Sequence, residues 1–286
     1  MNVETWLNDW YTIHAREVRR RTSEQYRDLL DRYVIPALGK IPLEDLSPAH
    51  IKHLLAQICA TGHTRTAELV FVMLKCALVD LDQAPMRAIK RPRHVQVSPD
   101  AWSDDQIQVY IRACHDHPHG LALSLGLILG LRRGEICGLR WEDIDFESKK
   151  LDIRNQRQRM ADGSVIDCPP KSATSCRPLP IPAPLLAQLR AARQLSGYIC
   201  PLSPSGLDAA HRRLVHRLGL PYIPLHGLRH TMATSCIRHG GDMRALQAIL
   251  GHASYATTAN RYTHPDASML EKALDSAALP CYNVIR

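Results

Sequence analysis

Residues 120–145 read GLALSLGLILGLRRGEICGLRWEDID. The first twelve are apolar or small. That run is too short to cross a bilayer, which takes about 20 residues, and it suits a helix buried on all sides. Arg132 and Arg133 follow at once. A guanidinium at the end of a buried helix lines a core or a cleft, where an unpaired cation is costly. Glu135, three residues after Arg132 and on the same helical face, is placed to hold that arginine through a charged hydrogen bond. The plainer alternative is a surface ion pair of little energetic weight.

Beyond this stretch the period changes. Within residues 143–181 the segments DIDFESKKLDIRN, SVIDCPP and SCRPLPIP are short, β-branched or alternating, and divided by turn residues. They predict a small antiparallel sheet. From Ala183 onward the helical period returns through LLAQLRAARQL, GLDAAHRRLVHRLGL and DMRALQAILGH. Upstream, residues 1–85 also read as helices. TSEQYRDLLDRYVIPAL opens on Thr22 or Ser23 as N-cap and is broken by Pro36 and Gly39. SPAHIKHLLAQICATG offers Ser47 as cap, Pro48 in the first turn, an apolar stripe of Ile51, Leu54, Leu55 and Ile58, and Gly62 as stop. RTAELVFVMLKCALVDL is a third helix, apolar over most of its surface. The fold class expected is therefore mainly α with a small antiparallel β-sheet. It divides into a helical domain at 1–85, a basic linker at 86–100 and a mixed α/β domain at 101–286.

The chain has 286 residues, 45% hydrophobic and 22% charged, which excludes a disordered chain and favours two modest cores. A net charge of +8 points to a polyanionic partner, nucleic acid ahead of an acidic membrane. With two Phe, base-stacking platforms built on that residue are excluded. Nine cysteines without a C-x-x-C pair fit reduced thiols rather than disulfides or a zinc ribbon. The opening MNVETWLNDWYTIHAREVRRR lacks an apolar signal core, so the expected location is cytoplasmic. In the linker, Lys90, Arg91, Arg93 and His94 flank Pro92, as in a solvated connector or a strap lying on phosphates.

Three further stretches carry chemistry. PLHGLRHTMATSCIRHGG, residues 224–241, sets His226 and Arg229 three apart near a helix start marked by Pro224. A helix N-terminus favours anions, and arginine forks two hydrogen bonds onto phosphate oxygens. The ordinary alternative is that both merely cap and solvate the helix. His226 and His230 also have zinc-binding spacing, but Gly227 stands where a metalloprotease motif needs glutamate, and Arg229 between them would repel a dication. The HDHPH cluster of His115, His117 and His119 is broken by Pro118 and reads as a loop. Lys171, in CPPKSATSCRPLPIP, lies at a turn tip. There it is either solvated or, carried into a cleft among cations, able to protonate a leaving group. Finally, AILGHASYATTANRYTHPDASML holds His252 and Tyr262; a tyrosine activated among cations can form a covalent phosphoester.

In chain order these pieces are Arg132, Lys171, His226-x-x-Arg229, His252 and Tyr262, an order that resembles the tyrosine recombinase, or phage integrase, family. GLRRGEICGLRWEDID is similar to the family's first-arginine box, LHGLRHTMAT to its H-x-x-R box and LGHASYATTANRYTH to its final box. Together they are highly specific, though each alone is weak. The region around TSEQYRDLLDRYVIPALGKIPLEDLSPAHIKHLL resembles the family's helical core-binding domain, SAM-like in fold. The resemblance implies a two-domain C-shaped clamp on double-stranded DNA recombination sites. It implies a homotetramer on DNA, accessory DNA-bending or excisionase proteins, no metal or other cofactor, and a nucleoid-associated cytoplasmic location. Arg132 and Arg229 would clamp the scissile phosphate with Glu135 in support. His226 would assist proton movement, His252 would bond the phosphate, Lys171 would protonate the 5′ hydroxyl, and Tyr262 would attack. Lys90, Arg91, Arg93 and His94 would lie along the DNA backbone.

Two departures qualify this. Ten positions separate His252 from Tyr262, where nine are expected, and one extra residue turns a continuous helix by about 100°. Many family members carry an arm-site-binding domain before the helical half, and the expectation here is a two-domain recombinase or one shortened at its start. The alternatives are a recombinase-like DNA-binding protein impaired in cleavage and, third, a metal-dependent hydrolase using His226 and His230. The tail ASMLEKALDSAALPCYNVIR, with Met269, Leu270 and Leu274 at helical spacing, packs either on a neighbouring subunit or on its own domain.

Overall fold

The computed structural model describes residues 1–79, 81, 85–93, 101–170, 175–251, 271, 274 and 275. The chain divides into two compact units, Met1–Val97 and Ser98–Arg286.

The first unit is helical: α1 (Val3–His14), α2 (Arg20–Leu29), α3 (Ile35–Leu38), α4 (Pro48–Ala60) and α5 (Thr64–Ala77). In α4 the expected stripe of Ile51, Leu54, Leu55 and Ile58 is wholly buried, and His50 Nδ1 caps the Ser47 N–H at 3.3 Å. Each such side chain contributes roughly 1.5–3 kcal/mol by leaving water. The start of α2 differs from expectation. It begins at Arg20 with Arg19 as N-cap, so Thr22 and Ser23 lie inside the first turn. Ser23 is engaged elsewhere, its hydroxyl 2.9 Å from the Tyr11 hydroxyl. Pro36 does not end the helical path either. A wide π-turn at Leu30–Val34 precedes it, where a proline lacking its N–H is tolerated, and α3 carries the chain to Leu38. Packing continues past residue 85, because Met86 and Ile89 are buried in this core.

The second unit opens with α6 (Asp104–His115), capped by Ser103 and Gln106 reciprocally, then α7 (Gly120–Ile128) and α8 (Arg133–Gly138). Every α7 residue except Leu121 is buried, as the apolar run requires. Next come β1 (Ile144–Asp145), β2 (Lys150–Ile153), β3 (Gln156–Arg159), β4 (Val165–Cys168) and β5 (Arg177–Pro180). They form two antiparallel sheets, β1-β2-β5 and the hairpin β3-β4, where one sheet was expected. β3, reading QRQR, shows no apolar alternation. It lies on α8 at Gly138, where a Cβ would come within 2.6 Å of the Gln156 backbone, so only glycine allows the approach. The unit closes with α9 (Ala183–Ala191), α10 (Pro204–Arg217), α11 (Leu225–Arg238) and α12 (Met243–Leu250). Leu274 is completely buried in this unit's core, so at that position the tail folds back on its own unit. No helix among the described residues is long and apolar enough to cross a membrane.

Candidate active site

The arginine expected at the end of the apolar helix lies elsewhere. α7 stops at Ile128, Gly130 turns the chain with φ +62°, and Arg132 is the N-cap residue of α8. Glu135 therefore sits in the first turn of α8. Its carboxylate accepts from the Arg132 backbone N–H at 2.9 Å and from Arg132 Nη1 at 2.7 Å. Glu135 is 2% exposed, so this is a buried carboxylate rather than a surface pair.

Arg229 arrives from α11, whose Leu228 and Met232 pack in the core while Pro224 precedes its first turn. Its guanidinium, 3% exposed, donates to the Gly130 carbonyl at 2.7 Å and to the Leu250 carbonyl. A third arginine, Arg177, was not singled out in the sequence. It forks both Nη atoms onto the two Glu135 oxygens at 3.3 Å each, and it donates to the carbonyls of Ile249 and Ser175. The signal for it was present: in β5 the inward residues alternate, and Arg177 shares the buried face with Leu179.

The three arginines meet at the end of α12. Its carbonyls lack intrahelical partners there, and the helix dipole favours cations. Arg177 takes Ile249, Arg229 takes Leu250, and Arg132 Nη2 takes Gly251 at 3.1 Å. Gly251, at φ 59° and ψ 47°, is the left-handed cap that ends the helix. One carboxylate faces three guanidiniums, which leaves the cluster positive. Burial would raise the Glu135 pKa, but Arg177 and Arg132 hold it below the usual carboxylate range. Burial and the Arg132 charge pull the Arg229 pKa down to about 9, so its guanidinium stays charged at neutral pH.

His226 stands one turn before Arg229 on the same helix face and remains exposed. Partial desolvation first, then the charges of Arg229, Arg132 and His230, lowers its pKa, so it is neutral at pH 7. Among the described residues no three His, Cys, Asp or Glu side chains converge as metal ligands. Lys171, His252, Tyr262, Tyr255 and His94 lie outside the described residues. Of the basic linker, Lys90 and Arg93 are exposed, while Arg91 Nη2 pairs with Glu68 at 2.7 Å.

The sequence matches two family models: the phage integrase central domain over residues 3–75 and the phage integrase family over residues 194–269. It is 28% identical over 201 residues to a tyrosine recombinase XerC-like protein of Caldanaerobacter subterraneus, covering 59% of this chain and 51% of that one. It is 26% identical to a putative prophage phiRv2 integrase of Mycobacterium tuberculosis, covering 92% of this chain and 73% of that protein. The chain thus spans about half the length of the first of these curated relatives. Its fold is that of the Tn1549 transposon integrase, solved in complex with transposon right end DNA. The TM-score is 0.76 at 20% identity over 94% of this chain and 97% of that one.

Proposed function

The chain belongs to the tyrosine recombinase, or phage integrase, family, and on that premise we propose that it is a site-specific DNA recombinase. It cleaves and rejoins strands through a 3′-phosphotyrosyl intermediate without ATP. The observation that carries this reading is the buried Glu135 holding Arg132, itself one-third exposed, beside Arg229 and His226. Such fixed cations neutralise the charge that grows on non-bridging oxygens during phosphoryl transfer. Neutral His226 suits the acceptance of a proton from an attacking phenol.

From sequence position, Tyr262 is the nucleophile. Its oxygen bonds to phosphorus as the bond to the 5′ oxygen breaks; Lys171 protonates that oxygen, and His252 bonds the phosphate. The link keeps the phosphoester, so a 5′ hydroxyl of a partner strand reverses the step. Double-stranded DNA is the substrate, and two duplexes call for a homotetramer. Lys90, Arg91, Arg93 and His94 meet the backbone. Accessory DNA-bending proteins, a place in a mobile element and a nucleoid-associated cytoplasmic location belong to the same proposal.

A nicked suicide duplex made from the DNA flanking the protein's own coding sequence tests it. The expected result is a covalent adduct in the wild type that Tyr262→Phe abolishes. An adduct that survives Tyr262→Phe and vanishes with Tyr255→Phe moves the nucleophile. Salt-sensitive DNA binding with no adduct favours the cleavage-impaired reading instead, which the extra residue before Tyr262 motivates.

A further inference from the structure

Arg177 does not stand in the motif order that suggested the site, yet it touches more of the site's segments than any arginine in that order. It enters from the start of β5, in register with Ile153 of β2, and is 8% exposed. Both ends of its guanidinium meet Glu135. Its Nε reaches the Ile249 carbonyl in the last turn of α12, and Nη1 reaches the Ser175 carbonyl at 2.9 Å. Ser175 follows four residues after Lys171, and Ile249 precedes His252 by three.

We propose that Arg177 is a positioning residue. It ties the carboxylate that orients Arg132, the backbone at Ser175 and the last turn of α12 into one rigid unit. Arg177 acts through Glu135 and two carbonyls rather than on the phosphate, because all three of its guanidinium nitrogens are engaged and it is 8% exposed. A lysine there keeps the charge but gathers its three donors on one nitrogen, so it cannot reproduce four bonds spread over both carboxylate oxygens and two carbonyls. Where chemistry is the readout, the inference rests on the recombinase reading.

The test compares wild type, Arg177→Met and Arg177→Lys in two measurements. One is the single-turnover rate of adduct formation against pH, at saturating DNA. The other is amide hydrogen exchange without DNA. A misplaced group far from the chemistry costs about 100-fold, the loss expected for Arg177→Met, with Arg177→Lys between it and wild type. The pH profile separates positioning from bulk packing. The groups facing Glu135 are the charged Arg132 from its own segment, Arg177 from β5 and Arg229 from α11, together with the titratable His226 of α11. Removing Arg177 raises the Glu135 pKa, so the acid limb of the rate moves to higher pH.

Exchange should rise in the last turn of α12 and around residue 176, with α7 unchanged. A rate lowered by one factor at every pH, or unchanged exchange at the end of α12, overturns the proposal. Should wild type form no adduct, the recombinase reading falls while exchange still decides the role of Arg177. Should Arg177→Met not fold, Arg177→Lys carries the same readouts.

Discussion

Two arginine clusters in the second unit differ in what surrounds them. In one, Arg132, Arg177 and Arg229 enclose the buried Glu135 and take the carbonyls at the end of α12. In the other, Arg140 and Arg157 stack on the Tyr198 ring, 4.9 and 4.5 Å from its centroid, and Asp167 pairs with Arg140 at 2.9 Å. There the Arg140 and Asp167 side chains are 41% and 38% exposed. Both clusters set arginines against one carboxylate. Burial separates them: water screens the second, whereas in the first each charge depends on its partners. The exposed cluster fastens the β3-β4 hairpin; the buried one concentrates positive charge.

Stability measurements can break this contrast. Glu135→Ala leaves three guanidiniums facing one another in the core and should cost about 3–5 kcal/mol in urea unfolding. Asp167→Ala should cost about 1 kcal/mol or less, since exposed pairs contribute little. Comparable losses would show that the first cluster is solvated. Gly138→Ala, which drives a Cβ into the Gln156 backbone beneath the hairpin, should cost about 1–3 kcal/mol.

Acid sharpens the same comparison. The Glu135 pKa is depressed in the folded state, so its contribution is fully present above the ordinary value of 4.5 and is lost as pH falls through the depressed one. Glu135→Gln should therefore remove an acid-dependent component of stability that Asp167→Asn leaves in place. The smallest effect lies in the first unit. Arg93→Glu should weaken binding to all DNA sequences alike and reduce the salt slope by about one. Arg91→Glu also sets two carboxylates together at Glu68, so its melting temperature should fall further.

Much of the fold was legible because burial follows period. The α4 stripe and the buried α7 both stand as spacing indicates. The hairpin strand QRQR was not, since its partner is a glycine face on α8 rather than an apolar core. The start of α2 was missed because Ser23 bonds Tyr11 across the unit, a contact no local rule anticipates. In the site, Arg132, Glu135, His226 and Arg229 could be named because their motifs are local. For Arg177 the strand alternation marked only a buried face; its role was not legible, because that comes from Glu135, 42 residues away, and the Ile249 carbonyl, 72 residues away.

The most direct test of the account compares strand cleavage by Arg132→Ala and Arg140→Ala, one arginine from each cluster, at saturating DNA. If the buried cluster is the phosphate site, Arg132→Ala slows adduct formation by about 100- to 1000-fold, while Arg140→Ala stays close to wild type. Equal losses, or a loss confined to Arg140→Ala, would contradict it.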